Sequence, residues 1–83
     1  MDWKEAYAKK VNLPPYRKVL SKEVIIKPKE WNKTFCEICN KEIIAGDTYF
    51  IYWRGMKDPM MIGTDGVSIC SRCDNELESD ETV

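Results

Sequence analysis

The densest apolar run of the chain lies in its middle, where the segment TYFIYW extends from Thr48 to Trp53. All of its residues are β-branched or aromatic, which is typical of strands. Two shorter apolar runs follow, MMI at 60–62 and VSIC at 67–70. Proline and glycine separate these runs and indicate turns. The pattern therefore predicts three strands, with a loop at 54–59 and a tight turn at 63–66.

The N-terminal segment follows a helical period instead. One face collects residues at i, i+3 and i+4 spacing, which are Trp3, Ala6, Tyr7 and Lys10. Asp2 can cap this helix with Glu5 three residues later, and the prolines of NLPPY predict that it ends near Asn12. A helix of about two and a half turns is unstable alone. Its aromatic residues must therefore pack on the rest of the domain or on a partner.

Two more elements complete the predicted order. The run VII at 24–26 predicts a short strand that ends before Pro28, because proline cannot donate to a strand ladder. The segment SRCDNELES has helical character. Ser71 can cap this helix, and Asp74 and Glu76 lie in its first turn, where the helix dipole favours acids. We expect a helix near each end, with strands between them.

The length of the chain predicts that this fold needs a stabilising cross-link besides its hydrophobic core. With 83 residues the chain forms one domain. A core of this size rarely supplies more than about 3–5 kcal/mol. The sequence has no apolar run near the roughly 18 residues of a membrane span and no secretory signal pattern. We expect a cytoplasmic protein without membrane contact, in which thiols stay reduced and paired cysteines are metal ligands before they are disulfides. The Lys- and Glu-rich composition also suits a thermophile, so the disulfide alternative stays open.

Four cysteines form two C-x-x-C pairs, Cys36 with Cys39 and Cys70 with Cys73, and the chain has no histidine. Two cysteines at i and i+3 on a tight turn present both sulfurs to one ion, and two such pairs complete a tetrahedral site. Asn40 follows the first pair, where such turns favour a left-handed residue. The predicted site holds one Zn²⁺ per chain, and iron is the alternative. A closed site has no open position for water, so we predict a structural metal and no enzymatic activity.

The charge of the chain is unevenly distributed. Residues 1–35 hold nine basic and four acidic residues, whereas residues 74–83 hold five acids and no base. Aromatic residues alternate with the basic ones in the first segment, which is typical of nucleic-acid binding. The acidic C-terminal helix would repel phosphate, so DNA or RNA would contact the N-terminal half or the hairpin tip. The candidate nucleic-acid-binding residues are Lys9, Lys10, Arg17, Lys18 and Arg54.

A protein partner is the alternative. The aromatic hairpin and its methionines, Met60 and Met61, are rich in apolar side chains for so small a domain. Adjacent residues of a strand face opposite sides, so one methionine could contact another protein. The other interpretation is that the C-terminal helix and the N-terminal segment cover both sides of the hairpin. The sequence does not predict the oligomeric state.

The order of these elements resembles the treble-clef type of zinc finger over residues 35–79. CEIC is similar to its knuckle, TYFIYW to the start of its hairpin, and CSRC to the opening of its helix. The resemblance implies a small zinc-stabilised α+β domain in which Cys36, Cys39, Cys70 and Cys73 are the ligands, with a short N-terminal helix and strand packed on it. It divides the chain into a basic segment at 1–34, the zinc domain at 35–79 and an acidic tail at 80–83. It implies a small nucleic-acid-binding or regulatory protein, or a protein-interaction adaptor.

A weaker resemblance is to rubredoxin, a small iron electron carrier with two C-x-x-C pairs at a similar separation. The segment IIAGDT is similar to the turn after its first knuckle. The second pair departs from that family, because CSRCDN lacks its Pro and Gly, and GVSI precedes the pair without its Trp. This resemblance implies iron at the four cysteines and electron transfer.

Overall fold

Two helices and five strands are present in the computed structural model, which describes residues 3–56 and 63–79. In chain order they are α1 (Trp3–Lys10), β1 (Arg17–Ile26), β2 (Thr34–Phe35), β3 (Glu42–Ile43), β4 (Thr48–Met56), β5 (Thr64–Cys70) and α2 (Ser71–Ser79). Strands β1, β4 and β5 form an antiparallel sheet in the order β1-β4-β5, and β2 and β3 form a separate ladder. The predicted α+β class with a helix near each end is confirmed.

Some predicted features fall outside these ranges. They are the cap at Asp2, the MMI strand at 60–62 with its two methionines, and the acidic tail at 80–83. Within the described ranges, no helix is long and apolar enough to cross a membrane.

Helix α1 ends as predicted, because Asn12 takes a left-handed conformation with φ of 55°. The Asn12 N–H donates to the Lys9 carbonyl, and the Leu13 N–H donates to the Ala8 carbonyl at 2.9 Å. These two hydrogen bonds form a Schellman motif, which satisfies carbonyls that a helix end leaves free. This C-terminal motif fixes the direction in which the chain leaves the helix. The helix itself is anchored in the core by Tyr7, which is fully buried.

Strand β1 is longer than predicted, since it begins at Arg17 and not at Val24. Its partner β4 also continues past the predicted end, and the two pair from Ile26 opposite Thr48 to Arg17 opposite Met56. A register shift between Val19 and Ser21 interrupts the ladder. The charged residues of β1 do not favour a strand by themselves. This segment forms a strand because it pairs with β4, and the local sequence pattern does not show that pairing.

The tight turn predicted at 63–66 is wrong for residues 64–66, which pair within β5. Gly66 lies opposite Trp53, and a Cβ at Gly66 would lie 2.7 Å from Ile51 Cγ2 and 3.0 Å from Trp53 Cζ3. The glycine therefore permits a close approach of neighbouring side chains, which is a common reason for glycine within a strand. The predicted loop at 54–59 is wrong for residues 54–56, which belong to β4, and its remaining residues lie outside the described ranges.

The three-stranded sheet has two unlike faces, since side chains alternate between them along each strand. On one face, termed the helix face, the ring of Tyr52 lies 5.1 Å from that of Trp3, and its hydroxyl donates to Asp74 on α2. Both helices therefore pack on this side. The opposite side is termed the open face, and its accessible part is formed by Lys18, Leu20, Ser21, Glu23, Ile51, Trp53, Thr64, Gly66 and Ser68.

Candidate metal centre

The first cysteine pair lies on the turn between β2 and β3. The Cys36 N–H donates to the Lys41 carbonyl at 3.0 Å, and the Asn40 N–H donates to the Cys36 carbonyl at 2.9 Å. Asn40 has φ of 61°, which confirms the left-handed residue predicted there. This backbone geometry curls the turn around Cys36, so the two cysteines of the pair point to one side.

The second pair spans the junction of a strand and a helix. Cys70 is the last residue of β5, and Cys73 lies in the first turn of α2. The hydroxyl of Ser71 donates to the Thr48 carbonyl at 2.6 Å and so joins the start of α2 to the start of β4. The prediction gave Ser71 only a capping role. This hydrogen bond fixes the helix that carries Cys73 against the hairpin that carries Cys70.

The four sulfurs form one cluster in which all Sγ atoms lie within 4.8 Å of one another. None of these cysteines is in a disulfide. Zinc–thiolate bonds of about 2.3 Å in a tetrahedron place the sulfurs about 3.8 Å apart. The Sγ atoms of Cys39 and Cys70 are 3.7 Å apart. The donor set and its spacing therefore fit a tetrahedral metal ion.

The thiols differ in acidity. Burial would raise the pKa of Cys36, but the N–H groups of Cys39, Cys70 and Ile38 donate to its sulfur and lower the pKa to about 7. Burial raises the pKa of Cys73, and hydrogen bonds with the neighbouring thiols raise it further. One thiolate is thus stabilised by the backbone, while the crowded sulfurs oppose further ionisation. A bound cation removes that opposition, because a coordinating thiol is deprotonated.

The cluster is closed on one side and accessible on the other. Cys36 and Cys73 are buried, Cys70 is half-buried and Cys39 is exposed. A cleft of about 750 Å³ adjoins the accessible side, and its walls include Lys10, Lys41 and Arg72. Four thiolates with a divalent ion would carry a charge of −2. The cleft wall also contains the acids Glu42, Asp47 and Glu76, and Glu76 pairs with both Lys10 and Arg72, so the wall has no excess of positive charge.

A polar network joins the knuckle to the rest of the fold. The hydroxyl of Tyr7 on α1 donates to Glu37, which lies between the two cysteines of the first pair. Arg54 on β4 lies 3.5 Å from the same carboxylate and also pairs with Asp65, which in turn pairs with Arg17. Burial raises the pKa of Tyr7, and its hydrogen bond to Glu37 raises it further. The N-terminal helix is therefore connected to the turn that carries Cys36 and Cys39.

A second network, termed the Lys22 cluster, lies on the helix face and comprises Lys22, Asp74, Glu78, Tyr52 and Trp3. Lys22 Nζ lies 2.9 Å from Asp74 Oδ1, also contacts Glu78, and sits 4.7 Å from the Trp3 ring centroid. Burial would lower the pKa of Lys22, but its hydrogen bonds to Glu78 and Asp74 raise it. Only 3% of the Asp74 side chain is exposed, so Lys22 neutralises a buried charge.

The structure does not gather the five candidate nucleic-acid-binding residues on one surface. Lys10 lies 3.9 Å from Glu76 of α2, and Arg17 and Arg54 share Asp65 on the helix face. Lys18 lies on the open face, and Lys9 is exposed on α1. Three of the five thus pair with acids of the same chain. The basic N-terminal segment and the acidic helix are joined by Lys10, which pairs with Glu76, and by Lys22, which pairs with Asp74 and Glu78.

The aromatic residues of that segment also divide into two groups. Trp3 and Tyr7 pack against Tyr52. Tyr16, Trp31 and Phe35 are about half exposed, at 49%, 49% and 52%. The exposed Lys29 and Lys33 flank Trp31 in the sequence. The sequence-based list of binding residues omitted Lys29, Trp31, Lys33 and Phe35. The alternation of lysine and aromatic residues from 29 to 35 could have indicated this exposed group.

Comparisons with protein-family models, curated proteins and solved structures found no match to this chain. The interpretation of the centre therefore depends on its geometry.

Proposed function

We propose that the protein is a non-enzymatic binding module held together by one structural zinc ion. The observation that carries this proposal is the cluster of four Sγ atoms within 4.8 Å of one another. An all-thiolate donor set suits zinc, and four protein ligands leave no open position for catalysis. Cys36, Cys39, Cys70 and Cys73 are the proposed ligands.

The arrangement of the centre supports a treble-clef interpretation. The first ligand pair lies on the β2–β3 turn, the β4–β5 hairpin follows, and the last ligand lies in the first turn of α2. This is the order that treble-clef fingers share. In this proposal, β1 and α1 extend the finger by adding an edge strand and a covering helix.

Metal analysis tests the structural part. Protein purified without added metal is expected to hold one zinc per chain by native mass spectrometry, and to be colourless. A red protein with one iron would instead support an electron carrier. Absence of metal together with disulfides among the four cysteines would overturn both interpretations.

We propose single-stranded nucleic acid as the partner. Trp31 and Phe35 expose about half of their surface beside Lys29 and Lys33, which are exposed as well. Exposed aromatic rings stack on unpaired bases, and lysines contact phosphates. Arg17 and Arg54 are paired internally, so this exposed segment is a better supported site than the residues nearer the sheet. Glu30 and Glu42 lie near it and would limit the affinity.

Fluorescence anisotropy with a labelled single-stranded oligonucleotide tests this site. Trp31→Ala and the pair Lys29→Glu with Lys33→Glu are expected to weaken binding at least tenfold at low salt. The pair Lys9→Glu with Lys18→Glu makes the same charge change and is the matched control. If only that control weakens binding, the originally predicted residues form the site. Absence of binding at low salt would exclude nucleic acid.

A protein partner is the second candidate, because Ile26 and Ile44 are 66% and 58% exposed near the same segment. Aliphatic side chains add nothing to base stacking but suit an apolar protein contact. Ile44→Asp would abolish such a complex. The same variant should bind the oligonucleotide with an affinity within about threefold of the wild type, and that small loss would come from the added negative charge.

A further inference from the structure

The open face of the sheet is apolar at its centre and charged along one edge. Trp53 and Ile51 are half-buried, and Leu20 is 40% exposed although it packs over Gly55. Within residues 3–56 and 63–79, the contacts of both helices are on the other face. The charged residues of the open face are Lys18 and Glu23, both exposed and without an ion pair in the described chain.

The register of the sheet arranges these residues in three rows across the strands. The middle row is Ser21, Trp53 and Gly66, as given by the pairing of β1, β4 and β5. One flanking row contains Lys18 and Gly55, with Leu20 over the glycine. The other flanking row contains Glu23 and Ile51. Each flanking row thus joins one charged residue on β1 to one apolar side chain nearer the centre.

A two-fold axis along the middle row exchanges the two flanking rows. In a second copy stacked face to face about that axis, Lys18 of each copy meets Glu23 of the other. Leu20 likewise meets Ile51, and Trp53 meets its own equivalent. The face is therefore complementary to itself in both charge and polarity, which is the requirement of a two-fold interface.

We propose that a second copy of this chain covers the open face, so that two sheets pack face to face as a symmetric dimer. Stacked sheets lie about 10 Å apart, which suits interdigitation of Trp53, Ile51 and Leu20. Pairing through the free edge of β1 is less favourable, because the irregularity between Val19 and Ser21 twists that edge. This dimer is independent of the partner proposed above and uses a different surface.

The expected dimer is weak. A face three strands wide and about five residues long measures roughly 15 by 15 Å. The two copies together would bury less than about 1,200 Å², which is at the low end for specific interfaces. We expect a dissociation constant on the order of 10–100 µM, and weaker association at high salt.

A charge exchange tests the proposal on the full zinc-loaded chain. Sedimentation equilibrium from about 5 µM to about 1 mM is expected to show a mass that rises from 9.7 kDa towards twice that value. Lys18→Glu and Glu23→Lys are each expected to weaken association at least tenfold, because each creates two like-charge contacts per dimer. An equimolar mixture of the two variants is expected to form a heterodimer, since every contact is then between opposite charges.

The control variants are Lys29→Glu and Glu30→Lys, which are exposed and lie off this face, and their association should match that of the wild type. Ile51→Lys should also give a monomer. The proposal is overturned if the wild type stays monomeric at 1 mM, or if the mixture associates no better than either variant alone. Zinc content and circular dichroism of the same samples separate these outcomes from misfolding.

Discussion

Two neighbouring residues of α2, Cys73 and Asp74, take part in two different cross-links. Both are buried, at 4% and 2% exposure. The sulfur of Cys73 joins the four-cysteine cluster and so connects α2 to the knuckle. The carboxylate of Asp74 accepts hydrogen bonds from Lys22 and Tyr52, which connects α2 to β1 and β4.

The two cross-links differ in what they need from solution. The cysteine cluster brings four ionisable sulfurs together, and as the proposed metal site it would take a cation from solution to stabilise them as thiolates. The Lys22 cluster contains its own positive charge, and aromatic rings surround it. We therefore expect the first to be sensitive to metal supply and the second to be insensitive to it. Under the proposed function, this small domain would divide its stabilisation between an external ion and an internal ion pair.

Removal of the proposed zinc ion is expected to have the largest effect. The apparent binding energy of structural zinc is about 10–16 kcal/mol, which exceeds what a core of this size supplies. Chelation or Cys73→Ser should therefore abolish the cooperative thermal transition seen by circular dichroism. Ser68→Ala is a control that leaves the ligands intact. A sharp transition in chelated protein would show that the Lys22 cluster and the core suffice.

Removal of the internal cation should cost less. Lys22→Met leaves the Asp74 carboxylate buried without a counter-charge, which costs about 3–5 kcal/mol. Urea unfolding of the zinc-loaded protein measures this loss. Replacing the three groups that meet at the buried carboxylate, as Lys22→Met with Tyr52→Phe and Asp74→Leu, should recover most of it, because the remaining acid Glu78 is 46% exposed. The alternative, in which the single and triple variants are equally unstable, would mean that packing around Lys22 matters more than charge.

Loss of the hydrogen bond between Tyr7 on α1 and Glu37 on the knuckle should have a smaller effect. Tyr7→Phe removes the hydrogen bond to Glu37 and is expected to lower the free energy of unfolding by about 1–2 kcal/mol. Because Glu37 lies between Cys36 and Cys39, zinc affinity should fall slightly as well. A competition assay with a colorimetric chelator measures this affinity. Tyr16→Phe is the matched control, since Tyr16 is 49% exposed.

Raising the pH should weaken the Lys22 cluster and leave the cysteine cluster intact. This is the smallest of the expected effects. The pKa values of Lys22, Tyr7 and Tyr52 are all raised in the folded protein. A raised folded pKa gives stability that is complete below the unfolded pKa and is lost as pH rises towards the folded value. Stability should therefore decline above about pH 10, where the unfolded side chains titrate. Thiolates remain ionised there, so zinc content should stay constant while urea unfolding measures the decline.

The sequence predicted the local features well. The four cysteines, the left-handed Asn40 and the end of α1 follow from spacing and backbone preferences that neighbouring residues determine. Strand β4 was also predicted, because its aromatic and β-branched residues favour a strand in most contexts.

The features that depend on distant partners were missed. Asp74 was interpreted as a helix-dipole acid, whereas its principal contact is Lys22, which is far away in the chain. The first part of β1 and the strand residues around Gly66 were missed for the same reason, since pairing with β4 determines both. Charge alone could not show that Arg17 and Arg54 share one acid within the fold.

The antiparallel pairing of β1 with β4 has a consequence for biosynthesis. Ile26 pairs with Thr48 and Arg17 with Met56, so β1 leaves the ribosome well before its partner. Trp3 and Lys22 must likewise wait for Tyr52, Asp74 and Glu78. At elongation rates of about 5–20 residues per second, the N-terminal segment spends several seconds without its contacts to β4 and α2. The aromatic side chains of Trp3 and Tyr7 are therefore without their packing partner Tyr52 during that time, and the four-cysteine cluster can assemble only after Cys73 has emerged.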